Sequence, residues 1–292
     1  MSGPDSGVGV RLKELRLRRG LTQKELSGDR ITRNMLSLIE SGNASPSVST
    51  LEYLAERLEV PVGYFFADGP ESGGFLKYAV LDELKARYAE GDWTSVLALC
   101  ANLPETAADD ELCLIEAVSA FRAAEEKASV YRLREADLLL DRAEKAAGMS
   151  VYCGEGFSKS LTFARDLFAS AATDLISPVL CDLSSVGSMI PASAAVYFLA
   201  LRSVRNGSGA EFPLTKGEHG ERHIAALLAL RGERPREGLK KLRELSLDAS
   251  LPYYMQYKVL GDLENAANAE GDINLAYSSS RRRLELIDRI RF

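Results

Sequence analysis

The chain has 292 residues, 46% of them hydrophobic, a length that predicts about two globular domains, each able to bury a core. A formal charge of -6 excludes a protein coated in nucleic acid, and four cysteines without a C-x-x-C pair exclude a disulfide framework or a zinc knuckle. No apolar run approaches the roughly 20 residues that span a bilayer, and Met1 to Gly9 has no apolar signal core, so a cytoplasmic protein with reduced thiols is expected.

Residues 1–7 are Gly, Ser, Pro and Asp around one Met and predict a disordered lead-in. A helix follows from about Val8 to Arg19, with Val10, Leu12, Leu15 and Leu17 expected inside and its arginines outside. Thr22 and Glu25 form a T-x-x-E capping box that starts a second helix anchored by Leu26 and broken at Gly28 and Asp29. Thr32 caps a third, whose Ile31, Leu36 and Ile39 face the packing partner and whose Arg33, Asn34 and Ser37 lie opposite. Arginine forks onto guanine, asparagine pairs with adenine and serine serves either role, so that face suits base edges. Gly42 ends the helix. Arg11, Lys13, Arg16, Arg18, Arg19, Lys24, Arg30 and Arg33 oppose only Glu14, Glu25 and Asp29, so the basic patch coincides with this stretch while the rest of the chain is acidic. Ser47 to Thr50 offer caps for a fourth helix carrying Leu51, Leu54, Ala55 and Leu58, and Pro61 opens a fifth with Tyr64, Phe65 and Phe66.

Arg11 to Leu15, Gly20-Leu21-Thr22-Gln23, Ile39-Glu40-Ser41-Gly42, Pro46-Ser47, Thr50-Leu51 and Leu54-Ala55 resemble the Xre family, the helix-turn-helix class of the lambda-type repressors. The resemblance implies a five-helix lambda-repressor-like DNA-binding domain over residues 8–67. Gln23 would begin the helix across the phosphate backbone, and Thr32, Arg33, Asn34 and Ser37 would enter the major groove. Asn43 and Ser47 complete the implied DNA-binding set. The chain departs from the family pattern in lacking a glycine before Ile31 and in placing Leu38 where a basic residue is common.

Asp68 to Gly74, DGPESGG, is a predicted linker, and residues 75–292 read as helix after helix, an all-α chain. Ala89-Glu90-Gly91-Asp92-Trp93, Leu230-Arg231-Gly232-Glu233-Arg234 and Ala269-Glu270-Gly271-Asp272-Ile273 share one form. They resemble the turns of tetratricopeptide repeats, helical hairpins of about 34 residues, and Ala136 and Ala143 mark a weaker copy from about Tyr131 to Ala147. An α-solenoid is expected, with an irregular bundle as the alternative. Ile176-Ser177-Pro178 and Ile190-Pro191 bracket a helix or two, Asn206 to Gly220 predicts an inter-repeat joint or a lid, and a last helix from Ser278 to Phe292 is expected to turn Leu284, Ile287 and Ile290 to one side.

Stacked hairpins line a concave surface suited to an extended peptide. The repeat register places Lys258, Asp262, Asn265 and Asn268 toward that groove, with His219, Arg222 and His223 from the preceding repeat and Lys85 and Tyr88 from the first. Carboxamides offer donor and acceptor to a peptide backbone, and Arg222 or Lys85 suits a carboxylate. His219 and His223 in H-G-E-R-H lack the H-E-x-x-H order of zinc proteases; no metal, cofactor or catalysis is expected. An Xre head followed by tetratricopeptide-like helices resembles the peptide-sensing regulators of the Rgg, PlcR and PrgX class. That resemblance implies a homodimeric transcription regulator bound to double-stranded DNA and switched by a short signalling peptide, as in quorum sensing. Two alternatives stay open: an Xre-type repressor whose body binds a protein or only dimerises, and a protein-binding scaffold whose head has lost DNA binding.

Overall fold

The computed structural model describes residues 6–66, 73–208 and 212–291. Among them are fourteen α-helices, short 3-10 turns and no strand, so the fold is all-α. The helices divide into two compact units, Met1–Ala108 and Asp109–Phe292.

The first unit opens with α1 (Ser6–Arg18), α2 (Gln23–Ser27), α3 (Arg33–Glu40) and α4 (Val48–Arg57), closed by a 3-10 turn at Val62–Phe66 where a fifth helix was expected. Residues 1–5 of the expected lead-in lie outside the described residues, but Ser6 and Gly7 already belong to α1. Val8, Leu12 and Leu15 are its buried face, joined by Arg16. Val10 and Leu17, expected inside, are 52% and 58% exposed, because they lie off the stripe that the 8-12-15 spacing defines. Gly9 is a point of close approach: a Cβ there would sit 2.0 Å from the carbonyl oxygen of Ile39, so α1 crosses the end of α3 with no side chain between. Leu26, Leu36, Ile39, Leu51, Leu54, Leu58, Tyr64 and Phe65 complete the core.

The same unit continues through α5 (Gly73–Glu90) and α6 (Trp93–Ala101), a hairpin whose turn is capped by Asp92 accepting from the amide of Ser95 at 3.1 Å. Leu76 and Tyr78 of α5 pack against the core of the head, and Tyr78 meets Tyr64 edge to face at 5.7 Å. Residues 67–72, most of the expected linker, lie outside the described residues, while Gly73 and Gly74 begin α5.

In the second unit α7 (Asp110–Ser129) and α8 (Leu133–Ala147) form a hairpin, with Ala136 and Ala143 fully buried between its helices. Then come α9 (Glu155–Ser170), α10 (Ala192–Arg205), the hairpin of α11 (His219–Arg231) with α12 (Pro235–Ser246), and that of α13 (Tyr253–Glu270) with α14 (Ile273–Arg291). The starts of α11 and α13 are 34 residues apart, from position 219 to 253, which is the tetratricopeptide spacing. Gly91 and Gly271 take φ of +74° and +78° at their turns, as expected of that motif, whereas Gly232 turns with φ of -87°.

Two expectations change here. The segment between Pro178 and Pro191 forms 3-10 turns at Val179–Cys181 and Leu183–Ser185 in place of an α-helix. It is held as irregular chain on α9, with Ser188 N donating to Gly156 O at 3.0 Å and Met189 N to Ser160 Oγ at 3.0 Å. The last helix starts five residues earlier than expected, at Ile273, and buries Leu286 while Leu284 stands 60% exposed. In its basic run Arg281-Arg282-Arg283, Arg282 donates to Ser246 O at the end of α12 at 2.6 Å and Arg283 pairs with Glu264 of α13 at 3.0 Å, so two of the three arginines hold the last helix to its neighbours.

Candidate nucleic-acid interface and a cleft in the helical unit

The geometry of the head starts at Thr22. Its hydroxyl accepts from Glu25 N at 3.2 Å while its amide donates to Glu25 Oε2 at 2.7 Å, which fixes the first turn of α2 and holds the Glu25 carboxyl below the usual carboxylate range. At the other end of α2, Tyr53 donates to Ser27 O at 3.1 Å and Arg57 to Glu25 O at 2.7 Å. Beneath both helices lies a buried ion pair. Arg16 donates to Glu40 through Nε at 2.6 Å and Nη2 at 3.0 Å and reaches Leu21 O at 2.8 Å. Arg16 therefore points inward, unlike the outward arginine that the basic patch suggested. A buried, bidentate pair of this kind costs about 3–5 kcal/mol to break from one side, so it fixes α1 against α3.

Held in this way, α3 turns a polar face outward. Thr32 caps it by accepting from Met35 N at 3.1 Å, and Arg33, Asn34 and Ser37 are exposed. Met35 and Leu38, 45% and 44% exposed, share that surface as apolar contacts of the kind that meet thymine methyl groups. A shallow notch of about 540 Å³ beside the helix start is lined by Lys24, Arg30 and Arg33. Besides Thr32, three further residues of the expected DNA set have work inside the head. Gln23 Nε2 donates to Glu40 Oε2 at 2.8 Å, Asn43 Nδ2 to Ser41 Oγ at 2.9 Å, and Ser47 caps α4 by accepting from Thr50 N at 3.2 Å.

The residues expected to line a ligand groove fall in both units, and those of the second unit are not all brought to one place. Lys85 and Tyr88 stand exposed on α5 in the first unit, with the Tyr88 ring on Trp93 at 5.3 Å. Arg222 pairs with Asp248 at 2.8 Å, and bonds from Ser250 and Arg222 drive that carboxyl far below its ordinary range. Lys258 is fully buried where a groove residue was expected, because its Nζ donates to Ser170 O at 2.6 Å and to Thr173 O at 3.4 Å at the end of α9. Burial, reinforced by Arg205, pulls its ammonium down to about 7. Asp262 and Asn265 do line a cleft, of about 260 Å³, together with Arg205, Arg231 and Glu270; Asn268 is exposed beside it on α13. Asp262 Oδ2 lies 2.9 Å from Arg205 Nη2 and 3.1 Å from His223 Nε2. Burial pushes the Asp262 carboxyl up, but His223 and Arg205 outweigh it and hold the group below its usual range. His223 is fully buried, its Nδ1 bonded to the Tyr197 hydroxyl at 3.0 Å, and His219 Nε2 lies 3.3 Å from Asp248, so the two histidines serve different partners.

Residues 12–65 match the family model described as helix-turn-helix. The head is a DNA-binding helix-turn-helix domain. Among solved structures the whole chain is similar to PlcR of Bacillus thuringiensis in complex with the peptide PapR7 and DNA. That match has 15% identity, covers 97% of this chain and 96% of that one, and has a TM-score of 0.26. It is also similar to ComR from S. thermophilus in complex with DNA and its signalling peptide ComS, at 17% identity over 96% of this chain and 99% of that one with a TM-score of 0.27. Apo ComR from Streptococcus vestibularis follows at 15% identity over 90% and 99%, with a TM-score of 0.22. No curated protein sequence matches the chain. No helix among the described residues is long and apolar enough to cross a membrane.

Within the helix-turn-helix head, sequence reasoning missed the inner role of Arg16 and Glu40. The available signal was Glu40 itself, a carboxylate that falls on the same face as Leu36 and Ile39 at helical spacing.

Proposed function

We propose that the protein is a cytoplasmic transcription regulator, a homodimer that reads DNA through α3 while its helical unit binds a short peptide that sets DNA affinity. The observation that carries the DNA part is the exposed face of Arg33, Asn34 and Ser37 on a helix locked from beneath by Arg16 and Glu40. Support for the peptide part is the cleft at Asp262 and Asn265 within stacked hairpins. No catalytic step is assigned to the chain. A homodimer presents two heads to half-sites about 34 Å apart, and a peptide that favours one arrangement by about 1–3 kcal/mol then changes occupancy.

The test is a titration at fixed, stated salt of the purified protein against DNA upstream of its own and neighbouring genes, with and without the small-peptide fraction of spent culture medium. Specific binding that weakens steeply with salt and changes with the peptide fraction is expected. Asn34→Ala should cost about 1–3 kcal/mol at the specific site and relax preference at one base pair. Absence of specific binding removes the regulator reading. Specific binding that ignores the peptide fraction leaves a repressor whose helical unit serves only assembly.

A further inference from the structure

We propose that the cleft at the ends of α10, α11 and α13 recognises a peptide through a cationic group, an ammonium or a guanidinium, set next to an apolar side chain. The inference rests on the peptide-binding reading above and gives that ligand its charge.

Three features of the cleft agree. Its cationic donors are already committed: Arg231 donates to Val204 O and, at 3.1 Å, to Arg205 O, and Arg205 is held by Asp262 at 2.9 Å. Apart from the Asn265 amide, what remains for a ligand is acceptors. Both Arg205 and His223 approach Asp262 through Oδ2, leaving Oδ1 without a donor among the described residues. Asn265 and Glu270 add a carboxamide oxygen and a second carboxylate at the exposed rim, where Arg236 approaches Glu270 only to 3.9 Å.

The second feature is helix direction. Arg205, Arg231 and Glu270 are the last residues of α10, α11 and α13, and all three line the cleft. Each helix C-terminus carries about half a negative charge on its unpaired carbonyls. Three such ends and one N-terminus, that of α12 at Pro235, border the cleft, so the backbone favours a cation even with Arg231 offsetting the end of α10. The third is the floor. Val204, Leu227, Leu230 and Ala266 are apolar, and a volume of about 260 Å³ suits one or two side chains as an anchor.

The experiment is calorimetric titration of the full chain with acetylated, amidated tripeptides: lysine-leucine-leucine, its norleucine and glutamate counterparts, and the norleucine peptide with a free amine. The lysine peptide should bind about tenfold tighter than its norleucine counterpart, with glutamate weakest. The free-amine peptide shows whether an N-terminus can replace the side chain as the cation. Asp262→Asn should reduce the preference to about twofold or less. Because Asp262 also holds Arg205, Glu270→Gln supplies a second variant at an exposed position, expected to lower the preference about two- to threefold with an unchanged melting curve.

Equal or tighter binding of the norleucine or glutamate peptide overturns the proposal. So does a preference that survives both substitutions, or the absence of binding by every peptide. DNA affinity measured in parallel separates the two readings. Cationic peptides that bind without changing DNA affinity remove peptide sensing and leave the cleft specificity; a DNA response to the medium fraction with no charge preference does the reverse.

Discussion

Lys258 carries a cost of charge burial in the second unit that pH can test. An unfolded lysine titrates near 10.5, whereas burial and Arg205 bring this one down to about 7. Below pH 7 both states hold the proton and the whole cost of burying an ammonium is present. Between pH 7 and 10.5 the unfolded chain holds more protons than the folded one, so stability rises with pH. Urea unfolding should therefore show a gain of about 1 kcal/mol from pH 7 to pH 8; above about pH 8 the unfolded thiols begin to ionise while the buried ones are pushed up, and this progressively opposes the rise. Lys258→Met should flatten that slope; Ser170 O keeps the amide of Thr173 at 3.3 Å, so losing the Lys258 hydrogen bond should add a pH-independent cost of only about 0.5–1.5 kcal/mol. An unchanged slope in the variant would place the titration elsewhere.

At the scale of elements, the crossing of α1 over α3 sets how the reading helix is presented. Alanine is worth about 1 kcal/mol more than glycine inside a helix, so Gly9→Ala gains intrinsically. The added Cβ would nevertheless lie 2.0 Å from Ile39 O, a backbone atom, and the helices must part. Overpacking of this kind costs about 1–3 kcal/mol, so chemical denaturation should show a net loss together with weaker DNA binding, because α3 moves. Gly7→Ala meets only the tip of Arg11 at 3.4 Å and should be neutral or stabilising. Local sequence made much of these elements legible: the Thr22 and Glu25 box, the Thr32 and Ser47 caps and the Gly91 and Gly271 turns each depend on neighbours within a few residues. What sequence did not show is set by distant partners. Arg16 turns inward to meet a carboxylate 24 residues on, and Lys258 is buried by a carbonyl 88 residues back. The 3-10 segment before α10 is shaped by its docking on Gly156 and Ser160, which no local period encodes.

For the whole molecule, the compact units meet after Ala108, while composition alone suggested a break at residues 68–74. The difference lies in α5. Leu76 and Tyr78 cover the helix-turn-helix core, and Tyr78 stacks edge-on against Tyr64, so a head cut at residue 67 loses packing that the one-dimensional pattern assigns to a separate repeat. Burying a large apolar side chain is worth about 1.5–3 kcal/mol, and both residues are only partly buried, so the pair contributes on the order of 2–3 kcal/mol. A fragment of residues 1–108 should therefore unfold with a midpoint roughly 10–20 °C above that of a fragment of residues 1–67, since about 1 kcal/mol moves the midpoint of a small domain by roughly 4–8 °C. Leu76→Ala in the longer fragment should recover part of the difference. Equal midpoints would mean that α5 belongs with the solenoid, and the break would move back to residues 68–74. Because α3 and its Arg16–Glu40 lock lie wholly within the longer fragment, it should also keep the salt-dependent DNA binding of the head. It lacks the Asp262 cleft, so it should give no response to peptide, and a response there would relocate the ligand site to the first unit.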